Sequence, residues 1–136
     1  MLRILVLGSN SFSGSHFVNQ CLLSGFQVFG VSRSKEPNDI FLPYKWDLKN
    51  LNSTIPELKH FQFKSIDLNK EIEVLKKVIN EFQPEIIVNF ASQGMVAESW
   101  LNPINWYQTN IVSQVALHDQ LRKRKFIKKY CIGSLN

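Results

Sequence analysis

The fold is decided by Leu2-Arg3-Ile4-Leu5-Val6-Leu7-Gly8-Ser9-Asn10-Ser11-Phe12-Ser13-Gly14. An apolar run broken only by Arg3 stops at a glycine, and small residues carry the chain onward. Such a run reads as a strand buried on both faces. Gly14, Phe17, Val18, Cys21 and Leu22 then recur at the spacing of one helix face, and Ser24-Gly25 stops that helix. Residues 26–31 read as a second strand, ending at Ser32-Arg33-Ser34. Residues 2–33 therefore spell strand, glycine-bearing turn, helix, strand. This is a βαβ unit near its minimum length of about 30 residues. Its right-handed crossover makes the two strands parallel.

Outward from that unit, residues 34–60 are punctuated by Pro37, Pro43 and Pro56, while Phe41, Tyr44, Trp46 and Leu48 need cover. A packed loop with a short helical piece is expected there. Residues 60–66 read as a third strand. Ile72, Leu75, Ile79 and Phe82 give a helix that Pro84 stops, and residues 85–90 are a fourth, nearly all-apolar strand. After a small-residue loop, Pro103 opens a long helix to about residue 124, and residues 126–132 are a fifth strand. Strands alternating with helices predict an α/β fold, a parallel sheet of about five strands with helices on both faces.

The composition excludes several classes. Of 136 residues, 44% are apolar and 20% charged, which does not fit disorder. No apolar run approaches the ~20 residues of a membrane helix, and no secretory signal pattern opens the chain. Cys21 and Cys131 are too few for a disulfide framework and read as small buried hydrophobes in a reducing, cytoplasmic setting. His16, His60 and His118 lack ligand spacing, so no metal is expected. The net charge of +5 owes much to Arg122-Lys123-Arg124-Lys125 and Lys128-Lys129. These cations read as the end of a helix, where the dipole favours them, and not as a nucleic-acid patch, which would interleave aromatics.

Parallel sheets bind ligands beyond the carboxyl ends of their strands. The first end carries Gly8, Ser11 and Gly14, opening a helix whose amides attract a pyrophosphate. The second carries Ser32-Arg33, 18 residues after Gly14. A hydroxyl beside a guanidinium suits a 2′-phosphate, which favours NADP over NAD. The third carries Asp67, a partner for an adenine amino group or the N-cap of the next helix, with Asn69 as competitor. The fourth carries Asn89-Phe90-Ala91-Ser92-Gln93-Gly94, whose small residues leave room for a ribose and a nicotinamide. Asn110 shares a helix face with Tyr107, Ile111 and Leu117, as a satisfied core amide or as a ligand contact. The fifth carries Gly133-Ser134.

On these residues, with Glu98-Ser99-Trp100, the whole chain resembles the NAD-dependent epimerase/dehydratase family, extended short-chain dehydrogenases with a Rossmann-type sheet. It looks closest to the sugar-nucleotide 4,6-dehydratases of the dTDP-glucose or GDP-mannose kind. The resemblance implies that the loop at Phe12-Ser13 binds the pyrophosphate and that Asp67-Leu68 contacts adenine. It implies that Phe90, Ala91, Ser92 and Gln93 line the cofactor ribose and that Asn110 approaches the nicotinamide half. Ser134 matches the catalytic residue that hydrogen-bonds the sugar 4-hydroxyl. NAD(P), a nucleotide-sugar substrate and a homodimeric parent enzyme are implied as well.

The sequence departs from that pattern. Ser11 replaces a glycine, and a left-handed serine would cost about 1–2 kcal/mol. Gly94-Met95 replace a Ser-His pair, and Asn136 stands where dehydratases carry a glutamate. The family's Tyr-x-x-x-Lys is missing: Tyr44, Tyr107 and Tyr130 are followed at the fourth position by Leu48, Ile111 and Ser134. Residues 1–136 are therefore expected to be an incomplete NAD(P)-binding domain, truncated before the substrate-binding portion and inactive alone.

Overall fold

The apolar residues of the first strand alternate between two cores. Leu5 and Leu7 pack into one, Ile4 and Val6 into the other, and all four are buried. A strand covered on both faces needs helices above and below it, and the computed structural model supplies them. It describes residues 1–46, 60–91 and 100–132.

β1 (Arg3–Leu7) lies at the centre, with β2 (Gln27–Ser32) and β3 (Phe61–Ser65) on one side. On the other side lie β4 (Ile86–Asn89) and β5 (Lys129–Ile132). All four pairings are parallel, with Ile4 opposite Val28 and Ile86, and Ile86 opposite Lys129. The order β3-β2-β1-β4-β5 makes β1 and β4 neighbours although α1 (Phe12–Leu23) and α2 (Ile72–Phe82) come between them in the chain. The expected five-stranded parallel sheet is present.

One core joins Leu5, Leu7 and Ile87 to Leu75, Val78 and Ile79 of α2 and to Leu117 and Leu121 further along. The other joins Ile4, Val6, Val28 and Val88 to Val18, Cys21 and Leu22 of α1. Each fully buried aliphatic side chain contributes about 1.5–3 kcal/mol of transfer free energy.

The middle loop contributes two short 3-10 turns, Asp39–Phe41 and Pro43–Lys45. Tyr44 is buried and its hydroxyl donates to Glu36, which Lys45 also holds at 3.0 Å. Phe41, expected to need cover, is exposed instead. Leu48 lies outside the described residues.

The long helix is not continuous. It consists of α3 (Pro103–Tyr107), a π-helical segment Gln108–Val112, and α4 (Ser113–Leu121). π insertions often mark functional sites. Of the apolar residues expected to share a helix face with Asn110, Leu117 is buried, whereas Tyr107 and Ile111 are exposed. Cys21 is buried as expected, whereas Cys131 is half-buried.

Buried acids make the fold alkali-sensitive. Burial pushes the Cys21 thiol from 9.0 up to about 11. Burial, reinforced by the hydrogen bond to Glu36, pushes the Tyr44 phenol above its ordinary range, and burial also raises Tyr130. All three hold their protons more tightly folded than unfolded. Their contribution is complete below about pH 9 and is lost as pH rises toward 11 and beyond. Urea midpoints measured from pH 8 to 11 should fall over that interval, and Tyr44→Phe should reduce the slope.

Candidate dinucleotide cleft

Gly8 turns the chain at the end of β1 with φ +81°. The N–H groups of Gly8 and Ser9 both donate to the Val31 carbonyl, at 2.7 and 3.2 Å, which ties the turn to the end of β2. Ser11 follows at φ −69°, ψ 163°, as the N-cap of α1. Its Oγ accepts from the Gly14 N–H at 2.9 Å and donates to the Gly8 carbonyl at 2.7 Å. The expected left-handed serine is therefore absent. Ser11 is an extended cap residue, and the left-handed position belongs to Gly8.

Both glycines are demanded by contact. A Cβ on Gly14 would lie 2.1 Å from the Gly8 carbonyl oxygen, and one on Gly8 would lie 2.7 Å from the Phe90 carbonyl carbon. The helix thus starts at Phe12, two residues before the expected Gly14. The first-turn amides of Phe12 and Ser13 have no partner within the helix, while the Phe12 ring is 81% exposed. These two residues offer backbone donors at the positive end of a 12-residue helix.

Beside this turn opens a cleft of about 390 Å³ at the carboxyl ends of β1 to β4. It is lined by Gly8, Ser11, Ser32, Arg33, Asp67, Leu68, Phe90 and Ala91 of the expected residues. Gly14 underlies the turn, and Phe12 and Ser13 stand outside the lining. Asn110 lines a second hollow of about 700 Å³, together with Asn89, Gln114 and His118. Ala91 borders both. Ser92, Gln93, Gly94, Met95, Glu98, Ser99, Gly133, Ser134 and Asn136 lie outside the described residues.

Asp67 does not cap α2. Its carboxylate accepts from the Asn69 N–H at 2.9 Å, an Asx turn, and Glu71 occupies the N-cap position. Nor does Asn69 cap the helix. Its amide donates to Thr109 Oγ1 at 2.9 Å and accepts from the Ser113 hydroxyl, binding the β3–α2 turn to the π segment. Asp67 is left in the cleft wall with acceptor capacity to spare. At the end of β2, Ser32 is 9% exposed, and its Oγ accepts from the Asn10 N–H at 3.0 Å while keeping its own proton to donate.

Two features were missed from the sequence. The first is a ring around Ala91. The Ala91 N–H donates to Asn89 Oδ1 at 2.7 Å, Asn89 Nδ2 donates to Gln114 Oε1 and to the Tyr130 hydroxyl, and Gln114 Nε2 donates to the Ala91 carbonyl at 3.3 Å. A polar side chain closing an otherwise apolar buried strand was the available signal, because buried amides require partners. The second is Asn10, whose side chain donates to the carbonyls of Ser34 and Lys35.

The basic run lies just past the end of α4. Arg122 and Lys123 both pair with Asp119, at 2.7 and 3.5 Å. The Arg122 hydrogen bond, helped by Lys123, holds the Asp119 carboxyl below its ordinary range. Lys128 lies 3.7 Å from Glu85. Among the described residues, no group of three His, Cys, Asp or Glu side chains could hold a metal, and no helix is long and apolar enough to cross a membrane.

At the family level, residues 5–134 match GDP-mannose 4,6 dehydratase. Protein CapI of Staphylococcus aureus is 32% identical over 112 residues, covering 82% of this chain and 31% of CapI. The crystal structure of a Thermotoga maritima UDP-glucose 4-epimerase with UDP-glucose superposes with a TM-score of 0.74 at 26% identity. That match covers 98% of this chain and 38% of the epimerase. A Bacillus anthracis dTDP-glucose 4,6-dehydratase in complex with NAD superposes with a TM-score of 0.65 at 28% identity, covering 95% and 36% of the two chains. The chain spans about a third of the length of these relatives.

Proposed function

Since this chain belongs to the GDP-mannose 4,6-dehydratase family, within the NAD-dependent epimerases and dehydratases, we propose that it is the dinucleotide-binding portion of a nucleotide-sugar enzyme whose cleft takes NADP in preference to NAD. The observation that carries this reading is the cleft itself. Four parallel strand ends bring Gly8, Ser32, Arg33, Asp67 and Ala91 to one cavity. A glycine turn, a hydroxyl–guanidinium pair and a carboxylate, with the first-turn amides of α1 beside them, are the donor and acceptor set of a phosphorylated dinucleotide.

The residues fit the group. Gly8 keeps the turn flush against Phe90, where a Cβ would intrude, and Asn10 Oδ1 beside the cleft is shut from solvent without a partner among the described residues. Phe12 and Ser13 amides would hold the pyrophosphate, Ser32 and Arg33 the 2′-phosphate, and Asp67 the adenine amino group. Ala91, bordering both hollows, would let the ligand run toward Asn110. A bound nicotinamide supplies reversible hydride acceptance at a sugar carbon. The chain's own residues bind the dinucleotide, fix its direction across the sheet and shield one face of it.

The family match favours a 4,6-dehydratase acting on dTDP-glucose or GDP-mannose. A 4-epimerase of the same family is the second reading, supported by the near-equal identities to the two solved enzymes and by Asn136, whose amide cannot move a proton as a glutamate does. A cytoplasmic homodimer is the proposed setting for the whole enzyme.

Calorimetric titration of the purified chain with NADP and NAD tests the cofactor. NADP should bind more tightly, and Arg33→Ala should reduce that preference about tenfold, the scale of one charge-assisted hydrogen bond. Binding of neither dinucleotide, or a preference for NAD, would overturn the proposal.

A further inference from the structure

We infer that Asn10 is a positioning residue for cofactor choice, holding the turn at residues 32–35 in the shape that receives a 2′-phosphate. The inference rests on the NADP reading above. Asn10 belongs to the β1–α1 turn, yet its contacts run to the end of β2. Its backbone N–H donates to Ser32 Oγ at 3.0 Å, and its Nδ2 donates to the Ser34 carbonyl at 3.1 Å and the Lys35 carbonyl at 3.0 Å. One residue thus grips the polar group at position 32 and the backbone at 34 and 35.

Arg33 sits between these anchor points. Its own carbonyl accepts from the Ser65 hydroxyl at 2.8 Å, and the Ser32 carbonyl accepts from the Ile66 N–H at 2.9 Å. The segment is therefore fastened to β3 on one side and to Asn10 on the other, so the Arg33 side chain leaves from a fixed backbone. The next acid, Glu36, is engaged by the Tyr44 hydroxyl and Lys45, which keeps its charge occupied. Preorganising a guanidinium in this way raises its worth toward an anion, because less freedom is lost on binding.

The amide's orientation is determined by the two carbonyls, since a flipped Asn10 would set oxygen against oxygen. Its Oδ1 is consequently left shut from solvent, without a partner among the described residues, in a side chain that lines the cleft. A buried acceptor without a donor is destabilising.

The test is a double-mutant cycle on the purified chain, with NADP and NAD as titrants and the ratio of their affinities as readout. Wild type should favour NADP. Asn10→Ala should lower the ratio about tenfold, by freeing the backbone from which Arg33 projects. In an Arg33→Ala background the same change should leave the ratio almost unmoved, because the lost group acts through that arginine. A merely structural role would weaken both dinucleotides alike. Asn10→Ser, too short to span both carbonyls, is read by the same criteria if Asn10→Ala does not fold. An unchanged ratio in a folded variant, equal loss for both titrants, or additivity with Arg33→Ala overturns the inference while the NADP reading stands. A wild-type chain that binds neither dinucleotide, or favours NAD, overturns both.

Discussion

Replacing Gly8 with alanine should remove about 3 kcal/mol of stability and abolish measurable dinucleotide binding. Two costs combine. A side chain at φ +81° meets the left-handed penalty of about 1–2 kcal/mol. The new Cβ also stands 2.7 Å from the Phe90 carbonyl carbon and 2.8 Å from the Ala91 nitrogen, both backbone atoms with no rotamer to yield. Overpacking of that kind adds about 1–3 kcal/mol. Gly25 provides the control, since it too has a positive φ, +83°, but open space where its Cβ would go. Gly25→Ala should therefore carry the conformational cost alone and bind the dinucleotide as wild type does. Urea denaturation and calorimetry on the two variants separate strain from contact. Equal stabilities and equal affinities would show that the close approach of the turn to the end of β4 has no energetic weight.

That contrast marks where the sequence was legible. Gly8 and Gly14 could be read as a tight strand-to-helix turn because they follow an apolar strand and open a helix. The strands announced themselves through apolar runs, because a doubly covered sheet leaves their residues no polar face. Ile72, Leu75, Ile79 and Phe82 placed α2 to the residue, since its helical spacing and Pro84 agree. What was not legible depends on long-range partners. Ser11 looked like a strained substitute for glycine, but its conformation is set by hydrogen bonds to Gly8 and Gly14 that only the folded turn creates. Asp67 was ambiguous between adenine contact and helix cap, and the Asx turn to Asn69 removes the second alternative. The π segment at Gln108–Val112 has no periodicity signature. Its wider turn looks like helix in a 3.6-residue pattern, which puts exposed Tyr107 and Ile111 on one face with buried Leu117. Asn10 and Gln114 make contacts 22 to 25 residues away in sequence, which spacing cannot register.

The second large effect is expected at Asn89, where stability and the cleft meet. The side chain is 3% exposed and engages three groups at once: the Ala91 N–H, the Tyr130 hydroxyl and Gln114 Oε1. Asn89→Leu keeps the branched shape, fills slightly more space and removes every one of these bonds. It leaves the Ala91 N–H to find a new partner beside a buried leucine, and the Tyr130 hydroxyl and Gln114 Oε1 with only their own hydrogen bond of 3.5 Å. At about 1–3 kcal/mol for each buried group whose bonds are lost, the loss should reach about 3 kcal/mol, against about 1 kcal/mol for Tyr130→Phe, which leaves the Asn89 bonds to Ala91 and Gln114 in place. The two substitutions should be strongly non-additive, because the phenol has lost its amide already in the leucine variant. Ionisation provides a second readout. Burial raises the Tyr130 phenol and the Asn89 hydrogen bond partly offsets it. Without the amide, Tyr130 should ionise at still higher pH, visible in the ultraviolet titration of the chain's three tyrosines. Since Ala91 borders both hollows, its release should also weaken dinucleotide affinity at fixed pH. An Asn89→Leu protein as stable as wild type, with an unshifted Tyr130 titration, would mean that this ring does not hold the floor between the two hollows.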